Sequence, residues 1–232
     1  ICMALLTGNT VILKPSPDTC MIAEALVDAF HAGGVPHDVL QIVHGVGDTL
    51  LQQPLDFISF TGSVKTGKYI LQQAHRNMTP VVLELGGKDA AIVCADADLD
   101  VASSAIVWGA FSNAGQTCAS VERVFVHESV IDTFSQLVVE KTKKLRQGNG
   151  LNTNIDIGPL QTNRQLECVE KQVQEAISTG AQVLYGGTRN TNAGPGYFYH
   201  PTVLRVQNNQ CALMQDETFG PIIPIMSVKN DE

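Results

Sequence analysis

Residues 111–120 read FSNAGQTCAS, and the side chain there that could do chemistry is Cys118. It follows a glycine and sits among short polar residues that leave backbone open. Nearby N–H dipoles can then stabilise a thiolate, the form of cysteine that attacks carbonyl carbon. The other reading is a small buried thiol, the usual state of a lone cysteine. No histidine stands close in sequence to pair with it. Glu84 is the second candidate. It lies in VVLEL (81–85), whose four other residues are aliphatic. A carboxylate in such a strand is desolvated, paired or faces a cavity, and burial raises its pKa toward that of a useful base. A structural ion pair is the alternative.

Three further stretches could hold an anion or a cofactor. FTGSVKTG (60–67) passes from a strand to a helix through glycine, so the N–H groups around Gly62 and Ser63 could meet a pyrophosphate. It matches neither G-x-G-x-x-G nor G-x-x-x-x-G-K-[ST], and an ordinary strand-to-helix turn is the other reading. Lys14 closes the strand VILK, at the edge where open α/β sheets hold ligands, though taken alone a solvated strand-end lysine is the plainer reading. Asp216 to Pro221, DETFGP, combines acids, an aromatic and a rigid turn ahead of the apolar run PIIPIMSV. By itself it is a loop entering a strand. Trp108 and Phe111 read as core, and Arg123 in ERVFVH as a structural strand residue.

The elements that must position these residues alternate. VILK (11–14), VLQIV (39–43), DFISF (56–60) and VVLEL (81–85) read as strands. Helical patterns over 19–32 and 63–74 lie among them. Gly33-Gly34 stops the first helix. Gly86-Gly87 breaks the pattern and sets the expected domain boundary. Beyond it come AAIVC (90–94), a helix over 99–111, ERVFVH (122–127) and helices over 129–146 and 162–179. Three later strands lie in AQVLYGG, YHPTVLRV and PIIPIMSV. Strands apolar on both faces, alternating with helices, predict an α/β fold with a parallel sheet covered by helices.

Composition narrows the function classes. A net charge of −8 disfavours nucleic acid, whose phosphates need clustered Lys and Arg. No apolar run reaches the ~20 residues of a membrane span. The six cysteines are scattered without C-x-x-C, so no metal site is expected, and most of them are expected to be buried thiols in a reducing cytoplasm. The chain opens on ICMALL and stops soon after an apolar run, so both ends read as cuts within a longer protein.

Taken together in order, GNTVILKPS, FTGS, LELGGK, NAGQTC, IGPL, GYFYHPTVL and ETFGP resemble the aldehyde dehydrogenase superfamily over essentially the whole chain. The resemblance implies that residues 1–85 are the C-terminal half of a Rossmann-type NAD(P)-binding domain. Residues 86–232 would be an α/β catalytic domain, incomplete at its C-terminus. It implies Cys118 as nucleophile and Glu84 as the base that activates the deacylating water. Lys14 would hold the adenosine ribose, with Ser16 beside it, and Gly62 and Ser63 the pyrophosphate. Glu217 would hold the nicotinamide ribose, with Phe219 beside the nicotinamide.

The same resemblance implies a thiohemiacetal on Cys118, a thioester, and hydrolysis to the acid. An oxyanion-stabilising asparagine would lie upstream of this chain, and Asn113 is not its match. Position 17, where NAD-preferring relatives often carry a Glu, is Pro17. A proline neither accepts from a 2′-OH nor repels a 2′-phosphate, so NAD is favoured but NADP stays open. The implied partner is a small-molecule aldehyde, and the implied assembly of the full-length parent a homodimer or homotetramer. A CoA-acylating relative and a non-catalytic binding relative are the alternatives, against which Glu84 and Cys118 respectively argue.

Overall fold

The structure, a computed structural model, describes residues 1–230. The chain divides into two compact units, Ile1–Glu84 and Leu85 onward.

The first unit runs α1 (Cys2–Leu6), β1 (Val11–Leu13), α2 (Cys20–Ala32), β2 (Leu40–Ile42), α3 (Gly47–Leu51), β3 (Ile58–Gly62), α4 (Val64–Ala74) and β4 (Val81–Leu85). β1 and β2 pair in parallel, Val11 opposite Leu40 and Leu13 opposite Ile42. β3 pairs with β4 in a second two-stranded sheet. α2 follows a 3₁₀ turn at Pro17–Thr19 and gives way to Gly33 and Gly34, the latter at φ +95°, a left-handed conformation that glycine enters without steric cost. Ser63 caps α4, its Oγ accepting the Thr66 N–H at 3.3 Å. Such a cap contributes about 1 kcal/mol. The buried apolar residues here are Pro15, Val27, Leu40, Ile70 and Ala74.

The second unit is a five-stranded sheet covered by helices. Its elements are β5 (Asp89–Val93), α5 (Leu99–Phe111), β6 (Val121–His127), α6 (Ile131–Lys143), α7 (Asn163–Ser178), β7 (Gln182–Tyr185), β8 (Thr202–Val206), α8 (Ala212–Gln215) and β9 (Ile222–Val228). The strand order is β5-β6-β9-β8-β7. All neighbours are parallel except β7 and β8. The expected parallel sheet therefore carries an antiparallel edge strand, a common finish to such sheets. β8 and β9 are buried along most of their length, as central strands covered on both faces must be. Phe134 and Val138 of α6, Val169 and Val173 of α7, and Ile223 and Ile225 of β9 belong to one continuous core. Asp98 caps α5 by accepting the Asp100 and Val101 N–H groups at 3.0 and 3.1 Å.

Two expectations need correction. Phe111 is buried, but Trp108 is 75% exposed. The buried stripe of α5 is Ser103, Ile106, Val107, Ala110 and Phe111, and the next position after Val107 points about 100° away from it. The cysteines expected to be buried are not. Four of the six are exposed and Cys20 and Cys211 are half-buried. Among the described residues no helix is long and apolar enough to cross a membrane.

Candidate active site

In the first unit the candidate cofactor residues lie on turns after strands. Lys14 follows β1, half-buried, with its Nζ donating to the Pro15 carbonyl at 2.6 Å. Among the described residues no carboxylate pairs with it, so its charge is free for a ligand hydroxyl. Its stem lies 3.7 Å from where a Cβ on Gly47 would stand. Ser16 is exposed and its Oγ accepts the Asp18 N–H at 3.3 Å. Gly62 ends β3, and a Cβ there would crowd the Phe60 ring. Ser63 then opens α4. That first turn carries no acidic side chain and both residues are exposed, so a pyrophosphate fits this end of the helix.

Glu84 stands on β4, where half-buried Val81, Leu83 and Leu85 alternate with exposed Val82 and Glu84. The desolvated carboxylate that the aliphatic strand suggested is therefore an exposed one. β4 has one strand neighbour and one covered face, so its pattern is the alternating one of a half-buried strand.

In the second unit Cys118 is exposed, on the turn between α5 and β6. Asn113, Ala114 and Gly115 all adopt left-handed backbone, at φ 53°, 57° and 72°. For Ala114 that conformation costs about 1–2 kcal/mol, so neighbouring contacts must impose it. They do so from several sides. Gln116 donates to the carbonyls of Asn113 (3.1 Å) and Pro159 (3.3 Å) and accepts the Gln161 N–H at 2.9 Å. Ser120 is buried and donates to the Gly109 carbonyl at 3.3 Å. A Cβ on Gly115 would overlap the Gly220 carbonyl, so this turn packs directly on the ETFGP loop. Among the described residues no acceptor takes the Cys118 N–H.

The ETFGP loop is held with equal care. Glu217 is half-buried, and a Cβ on Gly86 would overlap its carboxylate. Among the described residues no donor bonds that carboxylate. Burial, then the nearby Glu122 charge, raises its pKa above the ordinary value, with Lys88 opposing. Such a group is suited to accept hydrogen bonds from sugar hydroxyls. Phe219 is half-buried at φ 50°, again left-handed. So Cys118, Glu217 and Phe219 are carried by two loops in mutual contact.

The sequence profile of the Aldehyde dehydrogenase family matches residues 1–232. The chain belongs to the aldehyde dehydrogenase family. Among relatives in that family, the D-glyceraldehyde dehydrogenase (NADP(+)) of Thermoplasma acidophilum is 40% identical over 237 residues, covering 99% of this chain and 48% of the relative. The lactaldehyde dehydrogenase of Escherichia coli is 40% identical over 97% of this chain and 48% of its own. The crystal structure of an E. coli lactaldehyde dehydrogenase superposes with a TM-score of 0.93 at 39% identity, over 98% of this chain and 48% of that one. The structure of a 3,6-anhydro-L-galactose dehydrogenase in complex with NAP gives 0.93 at 34% identity, over 98% and 49%. The α/β fold is thus that of solved aldehyde dehydrogenases. The chain spans about half the length of the relatives it matches.

Several residues that shape this candidate site were not singled out from sequence. Lys88, Glu122, Gln165 and Gln172 all bond the ETFGP loop or its anchors. One had a signal. β6 buries every second residue, Glu122, Val124 and Val126, so the acid occupies a core position of an alternating strand. Arg123 is structural as expected, its Nε donating to the Lys88 carbonyl at 2.9 Å.

Proposed function

We propose that the full-length protein containing this chain is a hydrolytic NAD(P)-dependent aldehyde dehydrogenase. The observation that carries this reading is an exposed Cys118 on a turn locked in left-handed backbone against the loop of Glu217 and Phe219. In this reading residues 1–85 supply the C-terminal half of the dinucleotide-binding domain and residues 86–232 the thiol domain. Lys14 and Ser16 take the adenosine ribose, Gly62 and Ser63 the pyrophosphate, Glu217 the nicotinamide ribose and Phe219 the nicotinamide face. The assembly is a homodimer or homotetramer in the cytoplasm.

The Cys118 thiolate adds to the aldehyde carbon, and its unengaged N–H stabilises the oxyanion that forms. A dinucleotide held by Lys14, Ser16, Gly62, Ser63, Glu217 and Phe219 would supply the hydride acceptor, and the carbon that gives up its hydride is left as a thioester on sulfur. Glu84 takes a proton from water, whose oxygen attacks the thioester carbonyl. The acid departs and the thiolate is restored, a good leaving group as well as a good nucleophile. An exposed Glu84 suits a base that must meet water. The CoA-acylating alternative has no support from the relatives. Either dinucleotide is compatible with Pro17, and one 40%-identical relative is named for NADP(+).

The test is an aldehyde panel including lactaldehyde and glyceraldehyde, run on the full-length protein with NAD⁺ and with NADP⁺. Acid and reduced cofactor should form with at least one pair. Cys118→Ser should abolish turnover while the affinity for NADH or NADPH stays within about twofold. Wild-type turnover in that variant would remove Cys118 from the mechanism. Glu84→Gln should give one rapid burst of reduced cofactor followed by a slow steady state. A normal steady state would refute its role as base.

A further inference from the structure

Lys88 and Glu122 form an ion pair that the chemistry above does not use. Lys88 Nζ lies 2.8 Å from Glu122 Oε2, and the two side chains are only 6% and 4% exposed. A pair this deep is a poor source of stability, because desolvation offsets the attraction and an apolar pair of similar volume would often serve as well. An apolar pair could not accept backbone hydrogen bonds, and here the carboxylate does. Its Oε2 accepts the Thr218 N–H and its Oε1 the Phe219 N–H, both at 2.8 Å. Lys88 also donates to Thr218 Oγ1 at 2.8 Å. On the carbonyl side, Gln165 of α7 donates to the oxygens of Thr218 and Phe219 at 2.7 and 3.1 Å. Gln172 donates to that of Glu217 at 3.3 Å. Three successive residues are thereby fixed, one of them in left-handed backbone.

We propose that Glu122, with Lys88 as counter-ion, is a positioning residue for the nicotinamide end of the site. It sets the Thr218–Phe219 backbone and so aims the Glu217 carboxylate and the Phe219 ring. The pair works with the glycine two residues before Lys88, since Gly86 makes the room in which the Glu217 carboxylate lies. This inference rests on the dehydrogenase reading, in which Glu217 and Phe219 meet the cofactor.

The experiment titrates NADH and NADPH, by fluorescence, into the full-length wild-type protein, Glu122→Gln, Thr218→Val and Thr218→Ser. Amide exchange over residues 215–221 and the melting temperature are followed in parallel. Glu122→Gln keeps the shape but loses the charge and one acceptor. It should weaken dinucleotide binding about tenfold and speed exchange at Thr218 and Phe219, as expected for loss of a charge-assisted contact. Thr218→Val loses only the Lys88 contact and should weaken binding about threefold, whereas Thr218→Ser, which keeps the hydroxyl, should match wild type. A purely structural pair predicts a lower melting temperature with unchanged dinucleotide affinity. That result in folded Glu122→Gln overturns the proposal, as does unchanged affinity in Thr218→Val if Glu122→Gln does not fold. A wild-type protein that binds neither NADH nor NADPH overturns the dehydrogenase reading and this inference with it.

Discussion

Glu217 shows how one side chain's surroundings set a measurable property. Its carboxylate is half-buried beside Glu122, and burial followed by that like charge raises its pKa, with Lys88 opposing. In its proposed role the carboxylate accepts from a ribose hydroxyl, and a proton on it would compete. Dinucleotide affinity should therefore fall as the pH drops through the Glu217 pKa, and the fall should begin above the ordinary carboxylate range. NADH or NADPH titrations at successively lower pH should show this limb in wild type and its absence in Glu217→Gln. An identical limb in the variant would assign it to another group. At this scale motifs single out Cys118 and Glu217, and the structure places them on two loops in mutual contact. The sequence misled for Glu84, whose aliphatic neighbours suggested burial that a strand with one covered face does not provide. Glu122 was legible only through strand alternation, because its partners lie 34 and 96 residues away in sequence.

Between α6 and α7 the chain runs through residues 144–162, a long connection held largely by its own contacts. Arg146 and Asp156 clasp its two arms, with Nε to Oδ2 at 2.8 Å and Nη2 to Oδ1 at 2.9 Å. The Arg146 N–H adds a third bond to Oδ2 at 2.9 Å. The guanidinium hydrogen bonds, then this backbone N–H, lower the Asp156 pKa from 3.8 to about 2. A depressed carboxylate contributes stability above its unfolded value and loses it as the pH falls through the folded one. Asp156→Asn should thus melt below wild type at neutral pH, by a modest margin because the pair is largely exposed. The gap should close between about pH 4 and pH 2, and thermal melts across that window would read it. A gap that does not change with pH would place the effect in packing rather than in this charge. Helices and strands with strong periodicity were legible, α5 and β4 to the residue. The short α1, α3 and α8 were not, since five residues or fewer carry too little pattern to separate a helical turn from a loop.

Across the whole molecule, the apolar burial is uneven. The continuous core belongs to the second unit, where β6, β8 and β9 are packed among α5, α6 and α7. The first unit buries few apolar side chains, Pro15, Val27, Leu40, Ile70 and Ala74, and its strands form two separate two-stranded sheets. The alternation of strands and helices revealed α/β in both units, but it could not reveal this difference. Period and propensity describe each element's faces, not how many neighbours cover them. The change of unit lies between Glu84 and Leu85, next to the Gly86-Gly87 break in the pattern. Local opening free energies follow buried apolar contact. Native-state hydrogen exchange on this 232-residue chain should therefore find the amides of β1–β4 opening at lower free energy than those of β6, β8 and β9. In rising denaturant the first set should merge into one early transition, ahead of global unfolding of the second. A single transition with equal free energies in both units would show that burial within each unit does not set its stability. The positioning pair Lys88–Glu122 lies in the unit predicted to hold. The dinucleotide contacts proposed for Lys14 and Ser63 lie in the one predicted to open first, so if the full-length protein binds NADH or NADPH through them, either dinucleotide should slow exchange most in the first unit.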